Sequence, residues 1–474
     1  VIGRVEELKA LETFYKSEES NVMVVYGRRG IGKTTLLRNF TEDKQVVFFT
    51  LYSTTERQQR TLMARKLGLI EDGQGEESAP DLEAIFERIA EMSTEGIVVL
   101  VMDQYPNYAK TDEDFPRKLH DYMATKWNKG RVKLILCGDS YLHMEKLAWG
   151  KKAIWRDFMP QKMELAPLDY YDTRELCGLT DVIECARLYG ITGGIPALVE
   201  KASAIYEHAE SKEDAEWELI RQIYLTGDFS YRGSAESILE TELREKTYYD
   251  RLLYALANGN NRVNQLSMEL GKPKDVVVPY LNTLMSLGLV TKENPVTEPT
   301  NRRKTRYSIV SETDRLWYQI LVPQILSVYD KDYERVKAYW EAQRDVYMKD
   351  VFIRICKEYL IRSDRDKALP FSIKSMGNWW ENDEENGTSE DFDLMASGET
   401  EGKDAYIFGR CFWGDDAVNM ADVKGLIDLT RKVHDKSATF YLFFSRNGFE
   451  ENVKTVSQTI RNIMLIDLKD MIKE

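Results

Sequence analysis

Between 97 and 102 the chain runs IVVLVM, wholly apolar and mostly β-branched, and then stops on Asp103. An unbroken run of this kind predicts a strand buried on both faces, whereas a half-exposed strand would alternate. Similar runs lie at 21–26 (NVMVVY), 45–52 (QVVFFTLY) and 131–137 (RVKLILC), and 163–165 predicts a fifth, short strand. Helical segments fall between them at 56–68, 81–92 and 114–128, while the polar stretch 71–80 (EDGQGEESAP) reads as a loop. Strands alternating with helices predict a parallel sheet covered on both faces.

The pattern changes downstream. Three helices are predicted at 248–257, 261–271 and 272–290. Gly271 stops the second, and Leu281, Leu284, Met285 and Leu287 give the third an apolar face. Short strands at 289–291 and 305–310 flank the loop NPVTEPTNRRK, so 245–310 predicts a helix-turn-helix with a β-wing. Beyond 325 a separate α/β unit is expected. Helical stretches at 330–362 lead to an acidic segment, 378–396, with seven carboxylates between Glu381 and Asp393 and no Lys or Arg among them. A solvated loop is the expectation there, rather than a metal cluster. The stretch 394–396 is short and apolar, and 404–413 (DAYIFGRCFW) and 438–445 (ATFYLFFS) predict strands.

Composition narrows the classes. A chain of 474 residues exceeds one ordinary core, and about three or four domains are expected. With 43% hydrophobic and 30% charged residues it reads as soluble and globular, not disordered. No apolar run approaches the roughly 20 residues of a membrane span. No signal peptide is visible, and the start at Val1 leads us to expect a trimmed short leader. Five scattered cysteines (Cys137, Cys177, Cys185, Cys356, Cys411) lack zinc-ligand spacing and read as reduced, buried thiols of a cytoplasmic protein. The net charge of −14 would repel nucleic acid, so any DNA contact needs a local basic patch. Lys272, Lys274, Arg302, Arg303, Lys304 and Arg306 around the predicted wing supply one. The same residues are equally those of a solvated loop or of a protein-docking module.

The chemistry concentrates at 21–40, NVMVVYGRRGIGKTTLLRNF. Gly27, Arg28, Arg29, Gly30, Ile31, Gly32, Lys33 and Thr34 fit G-x-x-x-x-G-K-[ST], with a predicted strand before and a helix opening at Thr35. Glycines let the backbone curl so that its N–H groups converge on phosphate oxygens, and the helix N-terminus adds its positive end. Lys33 is expected to reach the β- and γ-phosphates and the Thr34 hydroxyl to bind Mg2+. Asp103, delivered by the buried strand, is the second expected magnesium group, directly or through water. After LILC comes Gly138-Asp139-Ser140, where a polar residue could approach the γ-phosphate or simply begin a turn.

Several stretches together resemble a known family. Gly3-Arg4 with Glu6-Glu7-Leu8 matches a GR-x-x-E-L opening, and the phosphate loop, Asp103, LILCG and GGIP (193–196) follow in order. This resembles the archaeal-type ATPases of the STAND class of P-loop NTPases, within the AAA+-like group. SETDRLWYQILVP (311–323) and NWW (378–380) resemble that family's C-terminal half, a winged helix and a domain similar to restriction endonucleases. The resemblance implies ATP or ADP as ligand, with Gly3 and Arg4 near the adenine and Pro196, in a helical lid, packed near the nucleotide. It also implies the fold class: a multidomain α/β chain with a P-loop ATPase domain at 1–168 built on a parallel sheet. A helical lid at 169–242, a winged helix at 243–324 and a nuclease-like α/β domain at 325–474 would follow.

The departures from the family bear on activity. Gln104 stands where the family has a glutamate, and a glutamine orients a water but cannot take its proton. Loss of a general base costs about 10²–10⁴-fold in rate. Asp139 stands where the family usually has serine. A Gly-Arg pair expected near 153–160 is replaced by AIWRDFMP, leaving Arg156 as a displaced candidate. In the C-terminal domain Asp393 matches a metal-binding aspartate, but the strand that should carry Glu-x-Lys reads Arg410-Cys411-Phe412, and Ile353 replaces a helix glutamate. The expectation is a nuclease fold without nuclease chemistry. Three functions stay open: a nucleotide-dependent switch with weak hydrolysis at Asp103 and Gln104, a DNA-processing ATPase with nuclease activity, and a silent ATP-bound adaptor. Partners could be DNA, another protein or a second copy of the chain, with no membrane.

Overall fold

Val22–Tyr26 (β1) is buried at every position, as its apolar run requires, and it sits inside a five-stranded sheet. The other strands are Val46–Thr50 (β2), Val98–Asp103 (β3), Val132–Gly138 (β4) and Gln161–Glu164 (β5). Their order is β2-β3-β4-β1-β5 and every pairing is parallel. The structure, a computed structural model, describes residues 1–112, 114–127, 131–139, 141–226, 235, 238–239, 246–383, 388–431 and 438–472. Ser140, the 242/243 boundary expected between lid and winged helix, and the middle of the acidic segment lie outside these residues.

The described chain divides into two compact units. The first comprises 1–167 and 195–197. Helices Glu56–Lys66, Leu82–Met92 and Phe115–Thr125 follow the expected spacing, and their apolar faces close over β2, β3 and β4. A further helix, Tyr105–Thr111, begins directly after β3 where periodicity shows little: Pro106 stands in its first turn, and Tyr105 and Tyr108 fill the core. Register brings the carboxyl ends of the strands to one edge, with Tyr26 opposite Gly138 and Thr50 opposite Asp103. Ligands of open parallel sheets bind at that edge.

The second unit comprises 168–194 and 198–474. Helices Thr247–Ala257, Val263–Leu270 and Lys274–Ser286 precede an antiparallel ribbon of Val290–Glu293 (β6) and Arg306–Ile309 (β7). A long helix, Tyr333–Arg365, then leads into a five-stranded mixed sheet of Ile373–Asp383 (β8), Thr388–Thr400 (β9), Lys403–Phe412 (β10), Ala438–Ser445 (β11) and Ile463–Asp467 (β12). Its order is β12-β11-β10-β9-β8, antiparallel from β8 to β10 and parallel from β10 to β12. The acidic segment corrects an expectation. Where a solvated loop was predicted, β8 and β9 pair as a hairpin. Trp379 and Phe392 face each other across it, ring centroids 4.9 Å apart, and this aromatic contact helps hold the two strands together. Among the described residues no helix is long and apolar enough to cross a membrane. All five cysteines are buried and free.

Candidate functional site

The loop between β1 and the helix Lys33–Phe40 curls tightly. Gly27 approaches the next strand's exit so closely that a Cβ there would lie 2.7 Å from the Leu165 carbonyl oxygen, a contact no side chain tolerates. The Lys33 side chain folds back under the loop, buried, and its Nζ donates to the carbonyls of Gly27 (2.8 Å) and Arg28 (2.9 Å). Ile31 is fully buried and anchors the loop, Arg28 is half-buried, and Arg29 and Thr35 are exposed. Lys33 also pairs with Asp139 Oδ1 at 2.5 Å.

Asp103 arrives from β3 at the same place. The Thr34 hydroxyl donates to its Oδ2 at 2.7 Å, across 69 positions of sequence. Asp103 Oδ1 is buried and meets no N–H or O–H donor, and the carboxyl group lies near the Cys137 thiol. Burial pushes that thiol well above its ordinary range, and the Asp103 charge adds to the rise. A buried carboxylate with one oxygen bonded to a hydroxyl and the other unmatched is a donor set suited to a hard divalent cation, which takes oxygen ligands.

Gln104 adopts a left-handed backbone (φ 59°), rare for a residue with a Cβ. The turn lets the chain leave β3 and start the helix Tyr105–Thr111 at once. It directs the Gln104 amide to Asp139, whose Oδ1 accepts from Nε2 at 3.3 Å. Lys33, Gln104 and Asp139 therefore form one connected group, and Thr34 and Asp103, their neighbours along the chain, form a pair of their own. From the sequence alone Asp139 is either a phosphate-facing residue or part of a turn. The structure puts its carboxylate on the P-loop lysine.

The N-terminal candidates have a bracing role. Arg4 is buried, and its guanidinium donates to Glu7, to the Ile31 carbonyl at 3.1 Å and to the Ala166 carbonyl at 2.9 Å. It ties the opening segment, where Gly3 turns (φ 66°), to the loop and to the exit of β5. Residues 195–197 join the loop from its other side. The Ala197 N–H donates to the Gly30 carbonyl at 3.3 Å, and the Pro196 ring sits 4.0 Å from where a Gly32 side chain would begin. Arg156 is exposed, donates to the Lys151 carbonyl at 3.2 Å, and is not part of the connected group.

In the second unit Asp393 lies against the Arg410–Cys411 stretch. Asp393 Oδ2 accepts from the Cys411 N–H at 2.8 Å, and burial pushes its carboxyl up despite that bond. Arg410 turns to Asp391 at 3.8 Å. Ile353 is half-buried on the long helix. The basic ribbon is divided. Lys304 bridges Glu298 (2.5 Å) and Glu381 (2.6 Å), and Arg306 lies over the Trp380 ring at 4.4 Å. Lys272 caps the Tyr248 ring at 5.1 Å, while Lys274, Arg302 and Arg303 are exposed.

Residues 2–202 match a family model described as an ATPase domain predominantly from Archaea. Residues 317–425 match one described as "Archaea bacterial proteins of unknown function". An uncharacterized protein of Methanocaldococcus jannaschii is 25% identical over 434 residues, 91% of this chain and 91% of the relative. An ATP-binding protein of the same organism is 40% identical over 45 residues, 10% of this chain and 76% of that protein. Among solved structures, a Walker-type ATPase of Pyrococcus abyssi superposes with a TM-score of 0.51 at 17% identity, over 68% of this chain and 96% of that one. This last likeness shows the fold, a P-loop NTPase sheet with its helices.

Proposed function

We propose that the protein, whose residues 2–202 match the model of an ATPase domain predominantly from Archaea, is an ATP-binding switch of the STAND kind in which hydrolysis is weak. The observation that carries this reading is the group at the sheet edge: a phosphate loop with Lys33, the Thr34–Asp103 hydrogen bond, and Gln104 in place of a carboxylate. Converging loop N–H groups and Lys33 take the phosphates. Thr34 and Asp103 would hold Mg2+, which when bound neutralises charge on the β- and γ-phosphates. Gln104 positions a water through its amide, yet no group at that position accepts the proton, and the attack is slowed accordingly. The clip of residues 195–197 on Gly30 supports a route for the signal. That segment is covalently continuous at both ends with the second unit, so a nucleotide that reshapes the loop pulls on the chain at 194/195 and 197/198.

In the same reading, 169–242 acts as the lid, 243–324 as a winged helix and 325–474 as a nuclease-like domain without nuclease chemistry. The placement of Asp393 and Arg410 supports the last point, since a nuclease site must hold a metal and activate a water there.

Calorimetric titration with Mg-ATP and a turnover assay test the proposal together. Wild type should bind and turn over slowly. Lys33→Ala should abolish binding, and Gln104→Glu should raise turnover about 10²-fold or more. Retained affinity in Lys33→Ala sinks the phosphate-loop assignment. Ordinary turnover in wild type, unchanged by Gln104→Glu, sinks the assignment of Gln104.

A further inference from the structure

We infer that Asp139 sets which phosphate state the pocket accepts: its carboxylate takes the place at Lys33 that a γ-phosphate needs, and so favours a nucleoside diphosphate over the triphosphate. This rests on the ATP-binding reading above and deepens it.

The argument is one of capacity and charge. An ammonium has three N–H groups. Those of Lys33 are matched by the Gly27 carbonyl, the Arg28 carbonyl and Asp139 Oδ1, at 2.8, 2.9 and 2.5 Å. The lysine is buried, so a phosphate that reaches it must displace one of these three partners, a neutral carbonyl at little cost or the charged carboxylate at more. Asp139 follows β4 directly, and β4 lies between β1, which carries the phosphate loop, and β3, which carries Asp103. A terminal phosphate reaching Lys33 between these strands must displace the carboxylate and then sit beside it. Two like charges at such range repel strongly where water is partly excluded. A diphosphate ends one phosphate short of that place. It keeps the loop N–H contacts and leaves the Lys33–Asp139 pair intact.

Gln104 strengthens the arrangement. Its amide donates to the same Asp139 oxygen that pairs with Lys33, so the carboxylate is held from two sides. With a glutamate at 104 two carboxylates would face each other there. The two departures, Gln104 and Asp139, are therefore one device. ATP enters only by breaking the pair.

The test is calorimetric titration of the full chain with ADP and with a non-hydrolysable ATP analogue, each in Mg2+ and in chelator. Wild type, Lys33→Ala, Asp139→Asn and Asp139→Ser are compared. Wild type should bind ADP about tenfold or more tighter than the analogue, since this is the scale of one unfavourable, partly screened charge contact. Asp139→Asn and Asp139→Ser should each raise affinity for the analogue about tenfold and leave ADP within about twofold. Asp139→Asn keeps the side chain's shape, so its result does not depend on repacking. If nucleotide binds and needs Lys33 but the ratio is unchanged in both Asp139 variants, the inference is overturned and the ATP reading stands. Weaker binding of the analogue in Asp139→Asn would place the carboxylate in the magnesium shell and also overturn it. No binding in wild type or in either Asp139 variant overturns the ATP reading, and this inference with it.

Discussion

Residue 104 shows how one atom's chemistry and one backbone angle combine. An amide where the resemblance implies a carboxylate alters which protons can move. The left-handed backbone decides where that amide points. The conformation is held from the neighbouring strand. Gly138 packs against the Pro106 ring, and a Cβ at 138 would lie 2.7 Å from Pro106 Cδ and 3.0 Å from the Met144 sulfur. Gly138→Ala should push the start of the helix Tyr105–Thr111 outward and cost about 1–3 kcal/mol, the usual penalty for overpacking. Thermal melting should show the lowered stability, and in the turnover assay Gln104→Glu should no longer rescue activity in this background. An unchanged melting point would show that Pro106 yields and does not hold the turn. The motif residues themselves were legible because G-x-x-x-x-G-K-[ST] has one structural solution. The Gln104 turn was not, since nothing local favours a left-handed glutamine.

Among elements, the long helix Tyr333–Arg365 carries Arg354 and Glu358, whose partners lie far away in sequence. Arg315 and Arg354 flank buried Glu312. Burial alone would raise that carboxyl, but the two guanidinium groups outweigh it and hold it below its ordinary range. Glu358 behaves in the opposite sense. It accepts from the Tyr189 hydroxyl at 2.6 Å and the Tyr170 N–H at 2.8 Å, joining the helix to Tyr170–Cys177 and Val182–Thr192. Burial nevertheless pushes its carboxyl up from 4.5 to about 7, with Asp169 adding to the rise and Arg354 opposing it. The folded state thus binds a proton that the unfolded chain has already released. Its stabilising effect is complete below about pH 4.5 and is lost as pH climbs toward 7. Across pH 5 to 8, wild type should lose about 2–3 kcal/mol more stability than Glu358→Gln. Denaturant unfolding at each pH measures this, and parallel curves for the two proteins would remove Glu358 as the source. The helices here were readable from apolar spacing. Which partners their buried carboxylates find was not, because contacts such as Glu358 with Tyr170, 188 positions apart, leave no local trace.

On the scale of the whole molecule, a net charge of −14 opposes nucleic acid, and the ribbon's basic residues are partly spent on Glu298, Glu381 and Trp380. Arg302 and Arg303 remain exposed. Linear, supercoiled and single-stranded DNA in Mg2+ or Mn2+ should therefore show weak, salt-sensitive, sequence-blind binding and no cleavage. Binding untouched by Arg302→Ala with Arg303→Ala would make the ribbon a protein-docking element, and cleavage lost in Asp393→Ala would restore a nuclease site. The sequence by itself determined the parallel sheet, the phosphate loop and the delivery of Asp103, because buried strands and glycine loops are specified by residues close together along the chain. Only the tertiary structure decided that the acidic segment is a hairpin, that Arg4 braces the loop from below, and that Asp139 reaches Lys33. Each depends on which strands become neighbours, and that is fixed when the whole core closes and distant charges must find partners or stay in water.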